Sequence, residues 1–88
     1  MAKVLISLKI FPSDVNIDLE IIKSKIKEAL TNYEVYKFEE EPIAFGLVAV
    51  IAHILVPEEE EGATEKVEEA IRGIKEISEI QTIMVRRI

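Results

Sequence analysis

The chain lacks cysteine and tryptophan, and its 88 residues include only one histidine. Without cysteine, neither disulfide bonds nor thiolate metal sites can form, which fits a reducing, intracellular setting. The lone histidine has no companion ligands for a metal site, and no glycine-rich phosphate loop or spaced serine–histidine–aspartate set is readable. The composition therefore argues against an enzyme, and we expect His53 to be a partly exposed surface residue.

Long apolar runs are also missing. Residues 43–56 are too few for a membrane helix, which needs about 20 residues, and they are interrupted by Gly46 and His53. The N-terminus does not place a long apolar block after a charged segment, as a signal peptide would. We expect residues 1–88 to form a single soluble, cytoplasmic domain that makes no membrane contact.

Acidic residues outnumber basic ones by 17 to 11, and the net charge is −6. An acidic surface repels phosphate backbones, so we expect no direct binding of nucleic acid. Glutamates adjoin one another at 39–41 and 58–61, without the spaced oxygen ligands and internal glycine of a calcium loop. Such runs are typical of solvated connections.

The hydropathy pattern alternates between strand and helix periods along the chain. The predicted elements are a strand over 3–11, a helix over 19–30 capped by Asn16 or Asp18, strands over 33–40 and 47–56, a helix over 63–74 and a strand over 77–88. This order is the ferredoxin-like α+β arrangement, βαββαβ. Right-handed crossovers then predict a four-stranded antiparallel sheet, ordered 4-1-3-2, with both helices on one face.

The predicted third strand is apolar on both faces. Its even-numbered positions suit the helix side, and the other side carries Leu47, Ala49, Ile51, His53 and Leu55. A sheet face without helices is usually more polar. Either part of this open face is covered by a partner, a second copy or the terminal segment, or it is a modest apolar patch. In the second strand, Tyr36 and Phe38 are predicted to share one face.

The connection between the second and third strands contains Pro42, Ile43, Phe45 and Gly46. A short hairpin usually has a polar turn such as Asn-Gly, whereas this connection is apolar. Either Phe45 folds back into the core or it is held out for a partner.

Two positive charges, Arg86 and Arg87, stand at the end of this acidic chain. They are either a solvent-screened pair, which spacing alone favours, or guanidinium groups delivered into an anionic pocket.

The residues from Glu40 to Leu47 resemble the archaeal translation elongation factor 1-beta family, a guanine-nucleotide exchange domain. The similarity extends over essentially the whole chain and includes Gly62-Ala63-Thr64-Glu65 and Val85-Arg86-Arg87. It implies a function in translation elongation, namely release of GDP from elongation factor 1-alpha, without covalent chemistry and without a cofactor or metal of the domain's own.

The resemblance also implies roles for the two segments. Phe45 matches the family's phenylalanine that enters a pocket on the GTPase, and Pro42, Ile43 and Gly46 surround it. Arg87 matches a penultimate basic residue that reaches the magnesium and phosphate site, where eukaryotic members usually place lysine. Arg86 is the second charge at this terminus.

The predicted topology places Phe45 and Arg87 at opposite ends of the sheet, about 25–35 Å apart. The domain is therefore expected to contact two regions of the GTPase. The glutamates of 58–61 are predicted at the Arg87 end, with weak, screened pairing to it.

Two other functions stay open on the sequence. One is a regulatory or oligomerisation module that acts through the open sheet face, and the chain could be a monomer or a weak homodimer. The other is a ferredoxin-like RNA-binding domain, which needs exposed aromatic residues on its central strands. Leu5, Ser7 and Ala49 provide no such stacking platform.

Overall fold

The computed structural model describes residues 2–88, so Met1, which the predicted domain includes, lies outside the described residues. The elements in chain order are β1 (Lys3–Pro12), α1 (Leu19–Ala29), β2 (Glu34–Ala44), β3 (Leu47–Pro57), α2 (Ala63–Arg72) and β4 (Ile77–Arg87). This is the predicted βαββαβ order.

The strands form one four-stranded sheet in the order β2-β3-β1-β4. Every neighbouring pair is antiparallel. β1 therefore lies between β3 and β4, and β2 and β4 are the two edges. The predicted ferredoxin-like fold and its strand order are confirmed.

The helices begin at different kinds of cap. The side chain of Asp18 accepts a hydrogen bond of 2.9 Å from the backbone N of Glu20, so Asp18 is the one of the two predicted residues that caps α1. α2 follows Gly62, whose φ of 73° suits a residue without a Cβ. Gly73 ends α2.

One face of the sheet forms the core with both helices. Ile6, Leu8 and Ile10 of β1 are fully buried beside the even-numbered positions of β3, as predicted. The helices supply the other wall through Ile22, Ile26, Val67 and Ile71. Burying an aliphatic side chain of this size contributes about 1.5–3 kcal/mol, so this cluster is the main source of stability.

β2 differs from the prediction in its length and in the faces on which its aromatic side chains lie. It continues to Ala44, because Pro42 lies within the edge strand and pairs with Val48 there. Val35 pairs with Ile54 and Lys37 with His53, so Tyr36 is an extra residue in a β-bulge. Because of this bulge, the prediction that Tyr36 and Phe38 share one face is wrong. Phe38 packs against the core, while Tyr36 stays 58% exposed and lies beside Leu5 on the open face.

Polar side chains cover part of the open face. Lys9 Nζ of β1 lies 2.7 Å from Glu41 Oε2 of β2, so this ion pair crosses over β3. Ala49 of β3, which pairs with Glu41, has no exposed surface, although no helix lies on this side. The ion pair thus covers Ala49, whereas Leu47, Ile51 and Leu55 of the same row stay partly exposed.

His53 lies in the middle of β3 on the open face and is hydrogen-bonded through both ring nitrogens. Its Nε2 lies 2.5 Å from a carboxylate oxygen of Glu39, and its Nδ1 lies 2.7 Å from Ser7 Oγ. A carboxylate only accepts, so Nε2 donates, and in the neutral ring Nδ1 accepts from Ser7. His53 keeps 12% side-chain exposure, which is less than we expected for a surface residue. The order serine–histidine–carboxylate is that of a hydrolytic triad, but Ser7 is 1% exposed and its hydroxyl cannot reach a substrate.

The helices within residues 2–88 have neither the length nor the apolar character that a membrane span requires.

An ion pair joins α1 to the segment before β4. Lys25 Nζ lies 2.7 Å from Glu76 Oε2, and the Glu76 side chain is only 17% exposed. The hydrogen bond from Lys25 lowers the pKa of Glu76 below its ordinary value of 4.5. A carboxyl whose pKa is lower in the folded state stabilises the fold above its unfolded pKa, and this contribution is lost as the pH falls through the folded pKa.

We therefore expect Glu76→Gln to be less stable than the parent chain at neutral pH, with a difference that shrinks in acid. Urea unfolding followed by circular dichroism from neutral to acid pH measures this difference. Glu69→Gln removes an exposed carboxylate of α2 and is the matched control, for which we expect no such trend. A Glu76→Gln difference that stays constant across the titration contradicts the assignment.

Candidate functional site

The connection between β2 and β3 is a tight turn of two residues, Phe45 and Gly46. Ala44 pairs with Leu47, and the two central residues have φ values of 52° and 83°. Positive φ at both positions defines the type I′ turn, whose twist matches that of a hairpin. Asn-Gly is the favoured sequence for this turn, because a bulky L-residue is strained at positive φ. Phe45 thus occupies a position that costs about 1–3 kcal/mol for a residue other than glycine.

The ring of Phe45 points into solvent. Its relative exposure is 101%, the highest among the exposed large apolar side chains of residues 2–88. Phe45 therefore does not fold back into the core. The turn holds a large apolar ring away from the body of the domain, where it can be buried only by another molecule.

The other residues predicted for this segment lie beside the turn. Pro42 is exposed on β2, and Ile43 is 40% exposed. Ile43 is the extra residue of a second bulge, since Pro42 pairs with Val48 and Ala44 with Leu47. A bulge at a strand end increases the local twist, so it helps to set the direction in which the turn leaves the sheet.

An apolar hollow next to Gly46 was not foreseen. It is lined by Leu47 and by residues of the segment between β1 and α1, among them Val15, which is 54% exposed. Sequence reasoning missed Val15 because a single exposed valine in a connection has no periodic pattern. The apolar surface at this end of the domain therefore extends beyond Phe45.

Arg87 lies at the opposite end of the sheet. It pairs with Val4 near the beginning of β1, whereas the Phe45 turn lies where β3 begins. At about 3.3 Å per residue, the length of β3 puts the two sites about 30 Å apart. This agrees with the expected separation and with a molecule 42 Å long.

The two arginines face opposite sides of the sheet. Arg87 pairs with Val4, which packs against the core, whereas Arg86 pairs with Leu5 on the open face. Arg86 lines a hollow there with Leu55, Tyr36 and Ile88. The sequence places the two arginines side by side at the terminus, but strand alternation directs them to opposite faces of the sheet.

Arg87 makes an ion pair with the acidic segment, as expected. Its Nε lies 2.9 Å from Glu58 Oε2, with side-chain exposures of 73% and 36%. Solvent screens a pair this exposed, so it is weak. Among residues 2–88, it is the one ion pair that Arg87 makes.

The sequence matches a known family over nearly its whole length. The model of the EF-1 guanine nucleotide exchange domain matches residues 5–88. Elongation factor 1-beta of Staphylothermus marinus is 47% identical over 100% of this chain and 99% of its own length. The proteins of the same name from Sulfolobus acidocaldarius and Methanothermobacter thermautotrophicus are 43% and 40% identical, over 97% and 100% of this chain and 96% and 99% of their own lengths.

A solved structure shares the fold at low identity. The C-terminal domain of the MgtC protein from Mycobacterium tuberculosis superposes with a TM-score of 0.64 at 8% identity, over 92% of this chain and 85% of that one. At this identity the likeness concerns the fold alone.

The strained turn predicts a gain in stability when Phe45 is replaced. We expect Phe45→Asn to raise the free energy of unfolding by up to about 1 kcal/mol, because asparagine tolerates positive φ and the exposed ring loses no burial. Thermal and urea unfolding measure the change.

Phe45→Ala is the control for this change. It also removes the ring, but it keeps an ordinary side chain at positive φ, so we expect it to gain less than Phe45→Asn. Equal stability of the two variants would show that the turn stores no such strain.

Proposed function

Because this chain belongs to the EF-1 guanine nucleotide exchange domain family, we propose that it docks on elongation factor 1-alpha through Phe45 and weakens GDP binding through Arg87. Its function is guanine-nucleotide exchange in translation elongation. The observation that supports separate roles for the two residues is their location: the fully exposed ring of Phe45 lies at one end of the sheet and Arg87 at the other.

Docking through Phe45 has a favourable balance of free energies. Transfer of a phenylalanine side chain out of water contributes about 1.5–3 kcal/mol. The turn already holds the ring outside the core, so no core contact has to break for it to bind. The strain in the turn is a cost of folding and is present before and after docking. Pro42, Ile43 and Gly46 add apolar contact surface and a rigid frame.

Exchange through Arg87 needs only electrostatics. Magnesium bridges the phosphates of the bound nucleotide and oxygens of the GTPase, and it contributes much of the hold on GDP. A guanidinium brought to this site repels the metal and competes for its ligands. Binding of the domain and of GDP then oppose each other, and by linkage the effect is reciprocal. Arg86, on the other face, adds positive charge that favours approach to the anionic site.

The proposed role also predicts the type of activity, the cellular location and the oligomeric state of the protein. Release of GDP involves no covalent bond, so the chain acts as an exchange factor rather than as an enzyme of covalent chemistry. Because its proposed partner acts in translation, we expect the protein in the cytoplasm. The net charge of −6 disfavours direct contact with nucleic acid. The Lys9–Glu41 ion pair and the His53–Glu39 hydrogen bond cover part of the open face, so the proposed state is a monomer, or at most a weak homodimer.

We expect Phe45→Ala to raise the concentration of factor that gives half-maximal GDP release by about 10- to 100-fold, which is the loss of one buried ring. The maximal rate at saturation should change little, since Arg87 is intact. Stopped-flow release of mant-GDP from elongation factor 1-alpha, titrated with the factor, gives both values. Tyr36→Ala removes another exposed aromatic side chain and is the control. An unchanged half-saturating concentration would contradict docking through Phe45.

Arg87→Ala should have the opposite pattern in the same titration. We expect the maximal release rate to fall by about tenfold or more, because the change removes a charge-assisted contact of about 1.5 kcal/mol or more. The effect on the half-saturating concentration should be smaller. Arg72→Ala removes one positive charge from the end of α2 and controls for net charge. A maximal rate equal to that of the parent chain would refute the role of Arg87.

A further inference from the structure

The glutamates of residues 58–61 are not equivalent around Arg87. Glu58 holds the guanidinium of Arg87 through the 2.9 Å contact at Nε. Glu59 lines the same surface hollow, with Ala2 and Arg87, but makes no ion pair with it among residues 2–88. Glu60 is occupied elsewhere, by the hydroxyl of Tyr33 and by Lys66. One carboxylate of the run is therefore dedicated to Arg87.

Both partners of this pair are fixed to the same stretch of β1. The backbone N of Glu58 donates to the carbonyl O of Ala2 at 3.3 Å. On the other side of β1, the backbone N of Ile88 donates to the carbonyl O of Lys3 at 2.9 Å, next to the pairing of Arg87 with Val4. The ion pair thus joins the end of β3 to the end of β4 across β1, and the register of the sheet brings its members together.

From this geometry we propose that Glu58 is a positioning residue, which holds the Arg87 side chain ready for delivery to the anionic site of the GTPase. The proposal rests on the proposed exchange role of Arg87. A free arginine side chain has many rotamers, and part of this entropy is lost whenever the guanidinium is fixed by a partner. The contact at Nε restrains the group at its inner end, and the Nη atoms at the tip carry the donors that meet phosphate or metal ligands.

The magnitude of the effect follows from the exposure of the pair. Exposed ion pairs contribute about 0.2–1 kcal/mol, so Glu58 can favour the held orientation by at most about fivefold. The effect belongs to the delivery of Arg87 rather than to docking, since Phe45 lies about 30 Å away. It should therefore appear in the maximal rate of GDP release and leave half-saturation nearly unchanged.

The test compares Glu58→Gln with Glu59→Gln, each in the parent chain and in Arg87→Ala. Both changes remove one negative charge from the same hollow, but only the first removes the ion pair. In the mant-GDP assay we expect Glu58→Gln to lower the maximal rate about two- to fivefold, with Glu59→Gln equal to the parent. In Arg87→Ala, we expect Glu58→Gln to have no further effect, because the group that it positions is gone.

A second measurement is independent of exchange. The Nε–Hε resonance of Arg87 in a ¹⁵N-edited spectrum of the free domain should broaden by solvent exchange in Glu58→Gln and stay sharp in Glu59→Gln. High salt should broaden it in the parent chain as well, because it screens an exposed pair.

The outcomes separate the two proposals. If Arg87→Ala slows release but Glu58→Gln matches Glu59→Gln, the positioning role is wrong and the exchange role of Arg87 stands. If Arg87→Ala leaves the rate unchanged, the exchange role itself fails, and the positioning role falls with it. Faster GDP release by Glu58→Gln also overturns the positioning role. The same holds if Glu58→Gln lowers the maximal rate further when it is made in Arg87→Ala.

Discussion

The antiparallel pairing of β1 with both β3 and β4 is the constraint on which the other features depend. It buries Ile6, Leu8 and Ile10 in the core, and it also sets where the chain turns at each end of the sheet. Because β3 and β4 both run against β1, the turn that precedes β3 and the terminus that follows β4 lie at opposite ends. The placement of Phe45 and Arg87 is thus a consequence of strand direction and register.

The two proposed contacts with the GTPase would use different physical interactions. At one end, burial of an apolar ring is short-ranged and insensitive to salt, which suits an anchor. At the other end, a guanidinium acts by charge, which suits competition with a metal ion. If Phe45 docks as proposed, its strained turn fits a general pattern, in which a binding residue is kept at some cost to the stability of the free protein.

Sequence reasoning reached the element order, the strand order and the opposite placement of Phe45 and Arg87, because hydropathy period and topology rules determine them. It narrowed the cap of α1 to Asn16 or Asp18, and the structure shows that Asp18 is the cap. It missed the bulges at Tyr36 and Ile43, which arise from the pairing of β2 with β3 and have no pattern of their own. The same holds for the hydrogen bonds of His53, whose partners Ser7 and Glu39 lie on different strands. It also grouped Arg86 with Arg87, although neighbouring residues of a strand face opposite sides of the sheet; the pairing with Val4 and Leu5 shows which side each one faces.

Simultaneous contact of both ends with one GTPase molecule is the central claim, and site-directed cross-linking tests it most directly. The chain has no cysteine, so Ala44→Cys and Ile88→Cys each provide a unique attachment point for a photoreactive label beside Phe45 and Arg87. In the nucleotide-free complex, the two labels should mark separate regions of elongation factor 1-alpha, about 30 Å apart, with the second at the nucleotide site. Labels that converge on one region, or no cross-link from the Phe45 end, would contradict the account.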